Sequence, residues 1–311
     1  MIELFHNPNY NFIGSRRWAY AVSIAITLIG LASLAVRGLS YDIDFTGGTL
    51  IQVRFEQPPS VANIRAGLGR IKLAESIIQQ FGDAREFIIR APLSGATSQE
   101  LAKRVEAALA QETSLGKFEI RRVEFVGPQV GKELQWQAVQ AVLFGLVGIL
   151  LYIAWRFDLK GGVAAIIAVF HDVIVCLGAI SLTGREFSLP VLAALLTIIG
   201  FSVNDTIVAY DRLRENRAKF VPKGKTFAEQ MNDAVNQTLS RTVLTSLTVF
   251  LSAAILLFFG GKTLEDFAFV LFVGVITGTY STTYVAASLV VDWTQYVEGR
   301  LRRGKKAVAK A

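Results

Sequence analysis

The sequence predicts a polytopic α-helical membrane protein of six transmembrane helices, with an α+β domain inserted between the first helix and the second. Three observations lead there. Hydrophobic residues make up 52% of the 311-residue chain and charged ones only 18%, too apolar a balance for an ordinary water-soluble domain of this length. The apolar residues gather in six long runs almost free of charge. The one extended polar stretch, from about Gly38 to Lys132, alternates between strand-like and helix-like periodicities.

Arg16 and Arg17 precede an uncharged run from Trp18 to Val36, about 19 residues, which at roughly 1.5 Å per residue nearly crosses a hydrocarbon core of about 30 Å. Such a run is long for the apolar part of a cleaved signal, and Ala32-Ser33-Leu34 is a poor small-residue cleavage site, so a retained first span is expected. In the polar stretch, Thr49 to Phe55 alternates like a strand, and after Pro58-Pro59 the residue Ser60 can cap a helix carrying Val61, Ile64 and Leu68. Ser76 to Phe81 and Glu86 to Arg90 read as strands about the turn Gly82-Asp83. Thr97 to Thr113 reads as an amphipathic helix, with Leu101, Val105 and Leu109 on one face and a Thr97-x-x-Glu100 capping box. Lys117 to Val126 alternates again, and Gly127-Pro128 closes it. The order βαββαβ is that of a ferredoxin-like domain, an antiparallel sheet backed by two helices.

Five further apolar stretches follow: Trp136 to Trp155, Gly162 to Thr183, Phe187 to Tyr210, Thr242 to Gly261 and Phe267 to Val291. With six spans both termini share a side. The net charge of +7 could suggest a nucleic-acid partner, but its placement speaks for membrane orientation instead. Arg156 and Lys160 lie in one short connection, and Arg212, Arg214, Arg217, Lys219, Lys223 and Lys225 in another. Arg16, Arg17, Arg300, Arg302, Arg303, Lys305, Lys306 and Lys310 flank the ends, against only Arg185 and Lys262 in the opposite short loops. The expected layout is a cytoplasmic N-terminus over 1–17, the first span over 18–36 and an extracytoplasmic domain over 37–134. The remaining spans occupy 135–295, with a cytoplasmic loop near 211–241, and a basic cytoplasmic tail covers 296–311. A capped amphipathic segment opening at Thr226-x-x-Glu229, with Met231, Val235 and Leu239 on one face, is expected to lie along the inner membrane surface.

Inside the spans, three features bear chemistry. Asp205 is the only ionisable carboxylate between Phe187 and Tyr210; a carboxylate at membrane depth is costly and marks a proton or ion site, or caps a helix end at the headgroups. On a helix it shares a face with Ser202, Ala209 and Arg212, and Asn204 and Thr206 give it a polar flank. Arg241 opens the fifth span on the same side; it can stabilise an ionised Asp205 or simply snorkel to the boundary. A carboxylate balanced between burial and a nearby arginine can load and release a proton near neutral pH. His171-Asp172, midway along the third span, can relay a proton or satisfy itself by hydrogen bonding, and the structural reading is favoured. Gly274-x-x-x-Gly278 allows close helix approach in the last span.

The single cysteine, Cys176, sits in an apolar run and reads as packing. With two histidines and no His/Cys/carboxylate grouping at ligand spacing, no metal site and no haem or other cofactor is expected. There is no Walker lysine motif, no Gly-x-Ser-x-Gly and no Gly-x-Gly-x-x-Gly after a strand, so the chain is not expected to be an enzyme. A machine without a nucleotide site draws its energy from an ion gradient or from a partner.

Four segments carry a family resemblance. Asp44-Phe45-Thr46-Gly47-Gly48-Thr49 follows the first span; Phe170-His171-Asp172-Val173 lies in the third; Gly200 to Thr206 runs into Asp211-Arg212-Leu213-Arg214-Glu215-Asn216; and Gln237 to Thr242 enters the fifth. In this order, on a six-span frame with its domain after span one, they resemble the SecF family, the smaller subunits of the bacterial SecD/SecF protein-export pair. The resemblance implies half of a twelve-span transporter of the resistance-nodulation-division superfamily in the bacterial inner membrane, completed by SecD as a second polypeptide. It further implies an accessory to the SecYEG channel of the Sec translocase that uses the proton-motive force to draw unfolded, exported polypeptide across the cytoplasmic membrane. Carried over, Asp205 becomes the proton-binding carboxylate and Arg241 its basic partner at the SecD interface. Asp44, Gly47 and Gly48 match the family's Asp-x-x-Gly-Gly motif, where the glycine pair reads as a tight bend and a plausible hinge at the root of the domain. A small-molecule or lipid exporter of the same superfamily is the alternative; the small inserted domain offers it little room for a pocket. A non-transporting scaffold would need no titratable acid.

Overall fold

The computed structural model describes residues 5, 8–91, 97–156, 159–219 and 224–308, with the backbone alone for 219 and 298–308. Lys223 and Lys310, and the side chains of Lys219, Arg300, Arg302, Arg303, Lys305 and Lys306, which entered the orientation count, lie outside the described residues.

The first helix, α1, spans Arg16–Arg37 and ends at Gly38, whose φ of 69° suits glycine. A two-residue strand β1 (Ser40–Tyr41) and one turn of helix, α2 (Ile43–Thr46), then lead into the inserted domain. This comprises β2 (Gly48–Phe55), α3 (Val61–Gly69), β3 (Ile77–Gln80), β4 (Glu86–Ala91), α4 (Ser98–Ala110) and β5 (Phe118–Val126). The four strands form an antiparallel sheet in the order β3-β4-β2-β5. The register slips between Gln52 and Val53 of β2 against β5, a bulge that bends the edge strand.

Strand alternation sorts the side chains. Ile51, Val53 and Phe55 point to one face with Phe87 and Ile89, where Ile64 and Leu68 of α3 and Leu101, Val105 and Leu109 of α4 close the core. Ser60 caps α3, and the Thr97–Glu100 capping box starts α4. Leu50 and Ile88 point the other way and pack with Ile43 of α2. The domain's helices therefore cover one sheet face, and the other looks toward the helix bundle across a cleft of about 710 Å³.

Beyond the domain come α5 (Pro128–Arg156), α6 (Leu159–Thr183), the short strand β6 (Glu186–Phe187), α7 (Leu189–Lys219), α8 (Phe227–Phe259) and α9 (Lys262–Tyr280). A single π turn, Ser281–Ala286, joins α9 to α10 (Ala287–Val308). Six helical stretches are long and apolar enough to cross a membrane, the last running Lys262–Val297. The expected surface-lying amphipathic segment is instead the first part of α8. Met231, Ala234 and Val235 are buried against Phe12, Tyr210, Leu213 and Val290, so packing inside the bundle wins over lying on the lipid surface.

Glycines set the closest approaches. A Cβ on Gly178 of α6 would stand 2.5 Å from the Cα of Gly30 on α1, and one on Gly274 of α9 would stand 2.5 Å from Ile198 of α7. The Gly274-x-x-x-Gly278 pair is thus the seat of α7, with Gly278 against Ser202.

Candidate functional site

Three buried polar centres and one exposed arginine define the site. The innermost is Asp172, on α6 and 1% exposed. Its Oδ2 accepts hydrogen bonds from Ser202 Oγ of α7 and from Ser281 Oγ of the π turn, each at 2.7 Å. Its Oδ1 lies 3.0 Å from His171 Nδ1. A carboxylate removed from water must be met by donors, and here donors from three elements converge on one group. His171 Nε2 is buried with no hydrogen-bond partner among the described residues.

Asp205 lies one turn beyond Ser202 on α7, about 24 Å along the helix from Leu189 at roughly 1.5 Å per residue. It is 2% exposed, and its Oδ2 has no hydrogen-bond partner among the described residues. The two buried acids are therefore provided for in opposite ways: Asp172 is fully engaged and Asp205 is left with an open valence. Around Asp205, Thr206 Oγ1 donates to the Ser202 carbonyl at 3.1 Å and lies 3.2 Å from Thr282 Oγ1. Thr282 Oγ1 donates to the same Ser202 carbonyl at 3.2 Å. A cavity with room for about one water molecule lies at the next turn, lined by Ala209, Thr238, Thr242, Thr282 and Thr283.

Arg241 stands on the exposed side of α8. It is near enough to Asp205 to interact electrostatically, yet the pair forms no salt bridge within 4 Å. Arg212, expected on the face of Asp205, turns to Gln237 and Glu215, at 2.6 and 2.9 Å. Arg241 belongs to a polar stripe on α8 with Gln237, Thr248 and Ser252, and α7 exposes Ala193, Thr197, Gly200 and Asn204 at the same helical spacing. Other exposed faces differ: Val22, Leu28 and Ile29 on α1, and Leu143, Phe144, Leu151 and Trp155 on α5.

The third polar centre ties the inserted domain to the bundle. Gly47 and Gly48 hold φ values of 71° and 141°, open to glycine and strained for other residues. A Cβ on Gly48 would meet the Ala91 carbonyl at 2.8 Å. This bend aims α2 at the bundle, where Asp44 Oδ2 accepts the first amide of α7, Leu189 N–H, at 3.3 Å. Burial pushes the Asp44 carboxyl above its ordinary range, with that N–H pulling the other way. Alongside, β1 pairs in parallel with β6. Arg90 of β4 grips Glu186 with two guanidinium nitrogens and lies 3.4 Å from Asp42. Arg185 reaches Asp266 at 2.5 Å and Glu265 at 2.8 Å. Asp44 of the motif thus contacts the first residue of the very helix that carries Asp205.

Sequence reasoning missed the convergence of Ser202 and Ser281 on Asp172, the π turn and the Arg90–Glu186 grip. The hydroxyls of Thr277, Ser281, Thr282 and Thr283, crowded into an apolar span, were the available signal for the first. The grip joins residues far apart in the chain and left none. Among the described residues no grouping of His, Cys, Asp and Glu could hold a metal ion.

The family model for the protein export membrane protein SecD/SecF, C-terminal, matches residues 105–296, and that for the SecD/SecF GG motif matches residues 32–59, which include Asp44, Gly47 and Gly48. The chain is 46% identical over 299 residues to the protein translocase subunit SecF of Desulfurispirillum indicum, covering 94% of each. Against SecF of Pseudomonas aeruginosa it is 43% identical over 283 residues, covering 91% of this chain and 90% of the relative. The crystal structure of SecDF from Thermus thermophilus, a translocon-associated membrane protein, is similar with a TM-score of 0.82 at 43% identity, over 93% of this chain and 39% of that one. SecDF in its super-membrane-facing form gives 0.70 at 42% identity, over 99% and 41%. The chain thus spans about two fifths of those SecDF chains.

Proposed function

Since this chain belongs to the SecD/SecF family of protein export membrane proteins, we propose that it converts the proton-motive force into movement that promotes export of unfolded polypeptide through the SecYEG channel. Its role is that of an accessory subunit in Sec protein translocation. One observation carries the energetic part of the reading: a carboxylate, Asp205, enclosed within a helix long and apolar enough to cross a membrane, with an oxygen that no donor among the described residues satisfies. A structural acid would be provided for as Asp172 is. One left open suits a group that takes up and gives away a proton.

SecD is the expected partner. The similarity to SecDF chains, of which this chain spans about two fifths, supports association with a SecD half. The small and polar stripes on α7 and α8 suit a protein neighbour, because polar groups at membrane depth avoid lipid. On this reading Arg241 faces SecD and shares the field of Asp205 with whatever groups SecD brings. His171 and Asp172 brace the proton pathway.

The inserted domain, whose strand order and paired helices support a ferredoxin-like fold, is assigned to the extracytoplasmic side. Both termini are assigned to the cytoplasm of a bacterial inner membrane, in keeping with the basic residues at the opposite end of the bundle. Protonation of Asp205 would shift α7, and the contacts of Asp44 and Glu186 at its outer end would pass that shift to the domain. The Gly47-Gly48 bend is the proposed pivot.

The test is translocation of a secreted protein into inverted membrane vesicles, with and without a proton gradient, at matched levels of wild type and Asp205→Asn. Loss of the gradient-dependent part in Asp205→Asn, with assembly intact, is expected. Full gradient dependence in the variant would refute the assignment.

A further inference from the structure

The last span breaks its α-helical path at a place that local sequence does not demand. Residues Ser281–Ala286 form a π turn, and the Ala287 N–H donates to the Thr282 carbonyl five residues back. A π turn carries one residue more than the α-helix it interrupts, and such turns recur at functional sites. Neither proline nor glycine lies within this one, so side chains outside the turn must hold it.

Side chains of α6, α7 and the turn itself supply that hold. Ser281 Oγ donates to Asp172 Oδ2 at 2.7 Å, and Ser202 Oγ reaches the same oxygen at 2.7 Å. On the next residue, Thr282 Oγ1 donates to the carbonyl of Ser202 at 3.2 Å and contacts Thr206 Oγ1. At the far end of the turn Tyr210 donates its hydroxyl to the Ala286 carbonyl at 3.3 Å. The turn is thus stitched to α6 at Asp172 and to α7 at Ser202, Thr206 and Tyr210, on either side of Asp205. Beyond it, α10 carries Asp292, which takes Arg16 at 2.9 Å and Tyr20 at 3.0 Å from α1.

We propose that this π turn is a working joint, latched in its present form by the carboxylate of Asp172 through Ser281 and Ser202, and that the transport stroke requires the latch to open. This rests on the proton-driven reading above for the stroke, but not for the latch. Opening frees the extra residue. Passing the bulge along the helix by one position rotates the intervening residue by about 100° and shifts it by roughly 1.5 Å. The residues that move are those that contact α7 around Asp205, so displacement of that helix and release of the joint are coupled through shared hydrogen bonds. Asp172 and Ser281 are positioning residues in this scheme, acting through α7 rather than on the transported proton.

Two measurements on the full chain separate latch from stroke. The first is amide hydrogen exchange of the segment spanning residues 277–290 in lipid nanodiscs. A hydrogen bond to a charged group contributes enough that Ser281→Ala is expected to speed exchange of the 282–287 amides about tenfold, with Ser281→Thr restoring the wild-type rate. Unchanged exchange in Ser281→Ala would overturn the latch. The second removes the joint: a chain lacking Thr283 restores a continuous α-helix with its downstream face in register. That chain is expected to assemble with SecD and to lose gradient-dependent translocation about tenfold or more, as expected for loss of a stroke-critical element. A deleted chain that assembles and keeps gradient-dependent translocation would overturn the joint. If the deleted chain does not accumulate, Ser281→Ala replaces it in the same assay, with loss and rescue by Ser281→Thr expected and retention counting against the joint. Absence of any gradient-dependent part in wild type would defeat the proton-driven reading and with it the stroke, while the exchange result still judges the latch.

Discussion

Two buried aspartates on neighbouring helices are met in opposite ways. Asp172 meets three partners and fastens α6, α7 and the π turn; Asp205, a turn along α7 from Ser202, keeps an oxygen without a donor among the described residues. Their sequence contexts are alike, each a single acid in an apolar run, and packing tells them apart. The sequence favours a structural reading for Asp172 and a proton or ion site for Asp205, but it does not disclose the partners that set them apart, because hydrogen-bond partners from distant helices leave no local trace. A third aspartate, Asp44, yields a pH-dependent expectation. Its carboxyl is raised by burial, so its contribution to folding is fully present below its unfolded value near pH 4 and is lost as pH rises through the folded value. Asp44→Asn keeps an acceptor for the Leu189 amide and removes the disfavoured charge. Its melting temperature is expected to equal or exceed that of wild type at neutral pH, with the difference closing toward about pH 4; a deficit that grows with pH would contradict this.

At the scale of elements, the inserted domain was nearly all legible. Its strands and helices differ from the sequence expectation only at their ends, since alternation, capping boxes and turn glycines are local signals. Phe55 and the residues about it close a small core, and Phe55→Ala is expected to cost about 3–5 kcal/mol of domain stability by chemical denaturation. The bundle was legible in number but not in packing. The segment read as surface-lying, the first part of α8, packs its apolar face on Phe12, Tyr210 and Leu213 instead, because amphipathicity alone cannot distinguish a lipid surface from a protein neighbour. The glycine seats carry a sharper expectation. Gly178→Ala would set a methyl group 2.5 Å from the Gly30 Cα, backbone that cannot step aside, so a loss of about 1–3 kcal/mol is expected, read as a lower melting temperature in detergent.

For the whole molecule, the arrangement has two ends and a middle. The domain is tied to the start of α7 by Asp44 and to the β6 connection by Arg90 on Glu186, and Arg185 of that connection grips α9; the middle holds the two acids; and the far end gathers the basic connections. Arg90→Ala would strand Glu186 and Asp42, and by analogy with broken buried ion pairs it is expected to cost about 3 kcal/mol and to expose the 183–190 connection to protease; unchanged protection would show that the grip is dispensable. The polar stripes on α7 and α8 are the surface proposed for SecD. Cysteines placed at Asn204 or Thr248 are expected to cross-link to SecD, whereas one at Phe144 on the apolar face of α5 is not. None of this assembly was readable from periodicity, which says how a helix is sided but not what covers each side.

The central claim is that Asp205 carries the proton that drives movement. It is tested most directly by proton flux in liposomes holding the complete complex with SecD, followed with an entrapped pH-sensitive dye under an imposed gradient. Wild type is expected to pass protons and Asp205→Asn, equally assembled, to fall to the rate of empty liposomes. Equal flux through both would contradict the claim and move the proton path away from Asp205.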